Sequence, residues 1–153
     1  MEKIWLKHYP KNIPSTIDSL KFNSIIDLMK NSSSLFPDHT AFTNLNTRLS
    51  YKKIDRYSEK FGAYLQNQLS ITKRSKVAIM LPNLLTYPVA LFGSYLAGAI
   101  VININPLFKG REIESALNDS GAETIIVLDR FMSELEPCLL YTSPSPRDGE
   151  ESR

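Results

Sequence analysis

VAIMLPNLLTYPVALFGSYLAGAIVININPLF, residues Val77 to Phe108, contains no charged side chain and reads as strand, turn, helix, strand. Val77 to Leu81 is a short apolar run with β-branched members, bounded by Lys76 and by Pro82-Asn83, which is how a strand buried on both faces reads. Pro82 ends that strand. From about Leu84, Leu85, Val89, Phe92 and Leu96 recur at helical spacing while Leu91 and Tyr95 fill the other side, so the predicted helix is apolar nearly all round and mostly buried. Pro88 falls in its first turn, where backbone N–H groups lack intrahelical partners anyway. Gly98 supplies the C-terminal stop. Ile100 to Ile104 is a second β-branched run, closed by Asn105-Pro106, which completes a strand, crossover helix, strand unit.

A membrane span is the competing reading of so long an uncharged stretch. Its longest run of apolar and small residues, from Val89 to Ile102, is about 14 residues, whereas a bilayer core takes about 20. Pro82, Asn83, Thr86 and Pro88 on one side, and Asn103, Asn105 and Pro106 on the other, put polar or turn chemistry where lipid tolerates none. A buried parallel βαβ unit fits better.

Working outward, four more elements precede this unit. Phe22, Ile25, Ile26, Met29 and Ser33 follow a helical period and predict a helix from about Asn23 to Leu35, stopped by Pro37. Residues 41–43 and 48–50 flank Asn44-Leu-Asn-Thr47, a turn between two short strands. Ser50 is a natural N-cap for the next helix. Its predicted buried face is Ile54, Tyr57, Phe61, Tyr64, Leu65 and Gln68, with Lys52, Lys53, Arg56, Glu59 and Lys60 in water. Met1 to Thr16 reads as an irregular arm broken by Pro10 and Pro14. Ile4 and Trp5 are expected to pack on the domain, although Lys3, Trp5, Lys7 and Lys11 could also sit at a membrane surface.

After the unit, Gly110 to Asp119 reads as a short amphipathic helix with Glu112 near its positive end, stopped by Ser120-Gly121. Thr124 to Leu128 is a third apolar run, with Asp129 at its carboxyl end. Three parallel strands with two crossover helices give an α/β fold: a partial doubly wound parallel sheet with flanking helices.

Composition adds boundaries rather than function. The chain has 153 residues, 42% hydrophobic and 22% charged, as in ordinary soluble domains. A net charge of +2 is too small to imply a nucleic-acid partner. The first residues lack the apolar core of a signal peptide, and Cys138 alone cannot form an internal disulfide, so a cytoplasmic setting is expected. His8 and His39 have no metal-like partners at suitable spacing. No phosphate-binding G-x-x-x-x-G-K-[ST] loop occurs, and Gly93 and Gly98 do not make G-x-G-x-x-G. Ser94 and Ser120 lack a nucleophile-elbow setting. Asp119 and Asp129 read as a helix-end and a strand-end residue.

The phrase Met80 to Gly93, with Ala97-Gly98, Asn103-Ile-Asn-Pro106, Arg111-Glu112 and Leu117-Asn-Asp-Ser-Gly121, resembles the N-terminal subdomain of adenylate-forming (AMP-binding) ligases. It is most similar to bacterial long-chain fatty acid:CoA ligases. Ile4-Trp-Leu, Tyr9-Pro10, Phe61 and Ala63-Tyr-Leu-Gln66 extend the likeness over residues 1–136. The resemblance implies a two-step reaction. A fatty acid attacks the α-phosphorus of ATP with Mg²⁺ assistance and pyrophosphate leaves; the CoA thiolate then displaces AMP from the acyl-adenylate. The phosphate loop, the adenine contacts and the catalytic lysine of that family lie downstream of this stretch. No catalytic, cofactor-binding or metal-binding residue is therefore carried over, and Asn83, Asn103 and Asn105 are expected to brace turns. The resemblance also implies peripheral work at the inner face of the cell membrane.

Residues 137–153 depart from this pattern. The text CLLYTSPSPRDGEESR from Cys138 has no periodicity and resembles translated sequencing-adapter sequence, or else a Ser/Pro-rich disordered tail. The expectation is an N-terminal part of an adenylation domain over residues 1–136, inactive by itself, followed by a non-native or disordered tail. Another adenylate-forming acid:CoA ligase, and a stand-alone non-catalytic α/β interaction module, are the alternatives.

Overall fold

The computed structural model describes residues 3–16 and 21–135. Helix α1 spans Ile25–Leu35, strands β1 and β2 span Thr40–Asn44 and Thr47–Ser50, and helix α2 spans Tyr51–Leu69. Strand β3 (Lys76–Met80), helix α3 (Thr86–Leu96), strand β4 (Ile100–Asn103), helix α4 (Gly110–Ser120) and strand β5 (Thr124–Val127) follow. The tail assigned to residues 137–153 lies outside the described residues.

The parallel sheet has the order β4-β3-β5. Val77 aligns with Val101 on one side and with Thr124 on the other. The first crossover steps from β3 to β4, and the second steps back over β3 to β5. Right-handed crossovers running in opposite directions place their helices on opposite faces, and the packing agrees. Ala78 and Met80 meet Ile113 and Leu117 of α4 on one face. Ile79 and Leu81 meet Ala90 of α3 on the other, while Val77 packs with Leu65 of α2 and Ala97. The alternation along β3 thus buries every position from Val77 to Leu81, as the uninterrupted apolar run predicts. Ile113 is fully buried, and a side chain so placed contributes about 1.5–3 kcal/mol.

Local chemistry fixes the element ends. Ser24 Oγ accepts from Asp27 N at 3.0 Å, and Ser50 Oγ accepts from Lys53 N at 3.4 Å, so two helices begin at hydroxyl caps. Leu45 and Asn46 both have positive φ, 43° and 62°, the backbone that a two-residue hairpin turn demands. The Lys109 backbone N–H donates to Glu112 Oε2 at 3.0 Å and starts α4. Gly98, at φ +85°, and Gly121, at φ +64°, follow α3 and α4 in the left-handed conformation.

The structure corrects four expectations about packing. Ile4–His8 is a 3-10 helix rather than part of an irregular arm, and Ile4 and Trp5 are exposed, 61% and 49%, rather than packed on the domain. On α2 the buried residues are Ile54, Ser58, Gly62 and Leu65. Tyr57, Tyr64 and Gln68 are exposed, because α3 approaches along the small side chains rather than the rings. On α3 the deepest positions are Pro88, Ala90, Gly93 and Ser94, while Leu85, Val89, Phe92 and Leu96 are half-buried. Large residues need room, and the closest approach of two helices leaves none. Ile25 of α1 is likewise exposed; Met29 and Ser33 carry the burial of that helix.

Candidate functional site

In open parallel sheets, ligands bind beyond the carboxyl ends of the strands, where neighbouring connections leave to opposite faces. With the order β4-β3-β5, in which the chain leaves β3 towards β4 and returns over it to β5, that place lies between β3 and β5. The chain after β3 runs through residues 81–85 into α3, and the chain after β4 runs through residues 104–109 into α4.

Polar side chains tie this end together. Tyr87, in the first turn of α3, donates its hydroxyl to Asn103 Oδ1 at 3.0 Å. Asn44, at the end of β1, donates from Nδ2 to the Asn83 carbonyl at 2.9 Å, which fastens the hairpin to the β3–α3 loop. Asn105 Oδ1 accepts from Leu107 N at 3.0 Å and closes a local turn. Of the three asparagines expected to brace turns, Asn105 does so with its side chain, while Asn83 takes part through its backbone carbonyl. Asn103 instead ends a strand and receives a helix hydroxyl. Tyr87 went unrecognised in the sequence because an aromatic residue in an apolar helix reads as core.

Beside these ties an open apolar groove of about 510 Å³ runs along α2 and α3. Tyr57 and Phe61 of α2, Leu85 and Val89 of α3, and Leu81 and Leu128 at the strand ends line it. Its polar side chains are the neutral hydroxyls of Tyr57 and Thr86, with no charged group. Such a surface can hold apolar matter, but it offers no group for proton transfer and none to balance phosphate charge. Among the described residues no group of three His, Cys, Asp or Glu side chains is placed to hold a metal ion. This groove thus does not fit a nucleotide–metal complex, and no chemical step is routed through it.

The serines, aspartates and histidine singled out below, and Lys30, are occupied structurally. Ser94 is fully buried and donates to the Ala90 carbonyl at 2.8 Å, and Ser120 donates to the Leu117 carbonyl at 3.1 Å. Asp119 Oδ2 accepts from Ser115 Oγ at 3.4 Å within α4, and Asp129 Oδ1 accepts from Arg130 N at 2.7 Å. His39 meets the Phe36 ring edge-on at 5.4 Å. Lys30 joins α1 to α2 by pairing with Asp55 at 2.7 Å and with Glu59. Burial works to lower the affinity of its ammonium for the proton, and the two carboxylates outweigh it, so the Lys30 pKa is raised. No described helix is long and apolar enough to cross a membrane.

Comparison with known proteins places this geometry. The long-chain-fatty-acid–CoA ligase of Yersinia pestis is 43% identical over 142 residues, covering 93% of this chain and 25% of that protein. The Bacillus subtilis (strain 168) protein of the same description is 34% identical over 128 residues, covering 84% of this chain and 22% of the relative. The chain thus spans about a quarter of the length of the curated relatives it matches. The crystal structure of the anthranilate CoA ligase AuaEII in complex with anthranoyl-AMP superposes with a TM-score of 0.72. At 22% identity over 78% of this chain and 23% of that one, it shows the shared fold alone. The family described as AMP-binding enzyme matches residues 29–150, and the chain belongs to it.

Proposed function

We propose that this chain is the opening part of an enzyme that activates long-chain fatty acids with ATP and passes them to CoA. One observation carries the reading: the identity to long-chain-fatty-acid–CoA ligases extends over nearly the whole chain. In this reading residues 1–136 supply scaffold. Strands β3, β4 and β5 form a layer buried on both faces, and the ties at Asn83 and Asn103 hold its carboxyl end in place.

The chemistry belongs to the whole enzyme. Fatty acid and ATP give acyl-adenylate and pyrophosphate, and CoA then gives acyl-CoA and AMP; Mg²⁺ offsets phosphate charge in the first step. The isolated chain is inactive in this reading. The setting proposed for the enzyme is cytoplasmic, peripheral on the inner face of the cell membrane.

The test is to sequence the source DNA across the codon for Pro137, express the uninterrupted reading frame, and assay palmitate with ATP, Mg²⁺ and CoA. Palmitoyl-CoA should form with one AMP released per thioester. A frame that closes at Arg153 would contradict the proposal, as would a product that activates aromatic acids and ignores palmitate.

A further inference from the structure

Strand β5 has no partner along its outer edge among the described residues, since the sheet runs β4-β3-β5. Ile125 and Val127 turn to the α4 face, and Ile126 and Leu128 turn to the α3 face. Both faces of the strand meet packed side chains, yet all of Thr124–Val127 is only half-buried, whereas Val77 to Met80 of the central strand are 0–1% exposed. The exposure left to β5 therefore comes through its open edge. That edge carries none of the devices that protect a natural edge strand: Thr124-Ile-Ile-Val127 has no charge, no proline and no bulge. An uninterrupted apolar run of this kind belongs inside a parallel sheet.

The exit of the chain from β5 fixes the direction in which the sheet grows. The step from β3 to β4 passes over the α3 face, and the step from β4 to β5 passes over the α4 face, as right-handed crossovers require. After β5 the chain turns through Asp129–Phe131 and is helical again over residues 132–135. Leu135, 1% exposed, packs with Met80, Ile113 and Leu117, so this segment lies on the α4 face. A right-handed crossover on that face moves away from β3, to the far side of β5; a return beyond β4 would be left-handed. A strand set there, about 4.8 Å from β5, turns alternate side chains to the α3 face. On that face lies the apolar groove, bounded by Ile126 and Leu128, by Leu49 of β2, and by Tyr57 and Val89.

We propose that the polypeptide following residue 136 in the uninterrupted reading frame returns as a fourth parallel strand on the free edge of β5, and that its apolar side chains fill the groove between β5, β2, α2 and α3. The groove is then an internal seam of the enzyme rather than a ligand site. This rests on the reading that the chain opens a longer protein, and not on which acid that protein activates.

The experiment compares backbone amide exchange, resolved by residue, in the enzyme from the uninterrupted frame and in the 153-residue chain, both without substrates. Alternate amides of a parallel strand point to opposite neighbours, so an edge strand protects only every second one. Over Thr124–Val127 the chain should show that alternation, and the enzyme should protect the outward amides as well, slowing them at least about tenfold. Hydroxyl-radical labelling of Leu49, Val89 and Leu128 should be lost in the enzyme. Should the shorter chain fold too poorly to compare, the pattern in the enzyme decides alone: continuous protection of β5 supports the added strand, and alternation overturns it. Groove residues that remain labelled in the enzyme would also overturn the proposal. A reading frame that closes at Arg153 would overturn it too, and shows in the DNA before any exchange is measured, whereas failure with palmitate leaves both readouts standing.

Discussion

Gly62 of α2 lies so close to Gly93 of α3 that a Cβ on Gly62 would stand 2.9 Å from the Gly93 carbonyl oxygen. A Cβ on Gly93 would meet Phe61 Cδ1 at 2.7 Å and the Ser58 carbonyl oxygen at 3.1 Å. The two helices therefore cross backbone against backbone, with Ala90, Ser94 and Ala97 extending the small-residue side of α3. Gly62→Ala and Gly93→Ala should each destabilise the protein. Alanine gains roughly 1 kcal/mol in helix propensity, but overpacking costs typically 1–3 kcal/mol. At Gly62 the nearest obstacle is backbone, which cannot swing aside, and at Gly93 it is the Phe61 ring with the Ser58 carbonyl behind it. With the overpacking cost in the upper part of that range, about 2–3 kcal/mol, urea unfolding should show a net loss of about 1–2 kcal/mol; an unchanged midpoint would mean that the helices stand farther apart.

Ser58 sits at the same crossing and should behave in the opposite sense. It is fully buried, and its hydroxyl has no hydrogen-bond partner among the described residues. Ser58→Ala removes that unsatisfied group and keeps the Cβ, so the variant should gain about 0.5–1 kcal/mol. A loss of stability would show that the hydroxyl is bonded after all.

Tyr87→Phe removes one hydroxyl and leaves the ring. The variant should lose about 0.5–1.5 kcal/mol, the net worth of one hydrogen bond. Asn103→Ala should cost a similar amount, and the double variant should cost less than the two together, because both remove the same contact. Strict additivity would show that the two side chains act separately.

Lys30 ties stability to alkaline pH. Its pKa is raised in the folded protein above the ordinary 10.5, so its contribution is fully present below 10.5 and is lost as pH rises through the folded value. Lys30→Met removes the pair and leaves Asp55, only 22% exposed, beside an apolar side chain. The parent should melt above the variant at neutral pH, with the gap closing only in strong alkali. A gap that closes below pH 10.5 would contradict the raised pKa.

The sequence made the βαβαβ order legible because each signal was local and redundant. Val77 to Leu81 alternates between two buried faces, Gly98 and Gly121 mark the helix ends, and Ser50 caps α2. Which face of α2 is buried was not legible. Hydrophobic periodicity gives weight to Tyr57 and Tyr64, whereas the packing is decided by where α3 can come nearest, at Ser58 and Gly62. The tie between Tyr87 and Asn103 joins residues 16 positions apart and needs the crossover already built before it can be seen. The exposure of Ile4 and Trp5 follows from a 3-10 turn too short to leave a periodic trace. Resemblance over residues 1–136 identified the family where residue chemistry alone stopped at an α/β domain.

The most direct test of the account is ATP–pyrophosphate exchange with palmitate and Mg²⁺, run on the 153-residue chain and on the enzyme from the uninterrupted reading frame. The chain should remain at background, because its groove carries no charged group to balance phosphate charge, while the longer enzyme should exchange label. Palmitate-dependent exchange by the chain alone would contradict the scaffold role assigned to it.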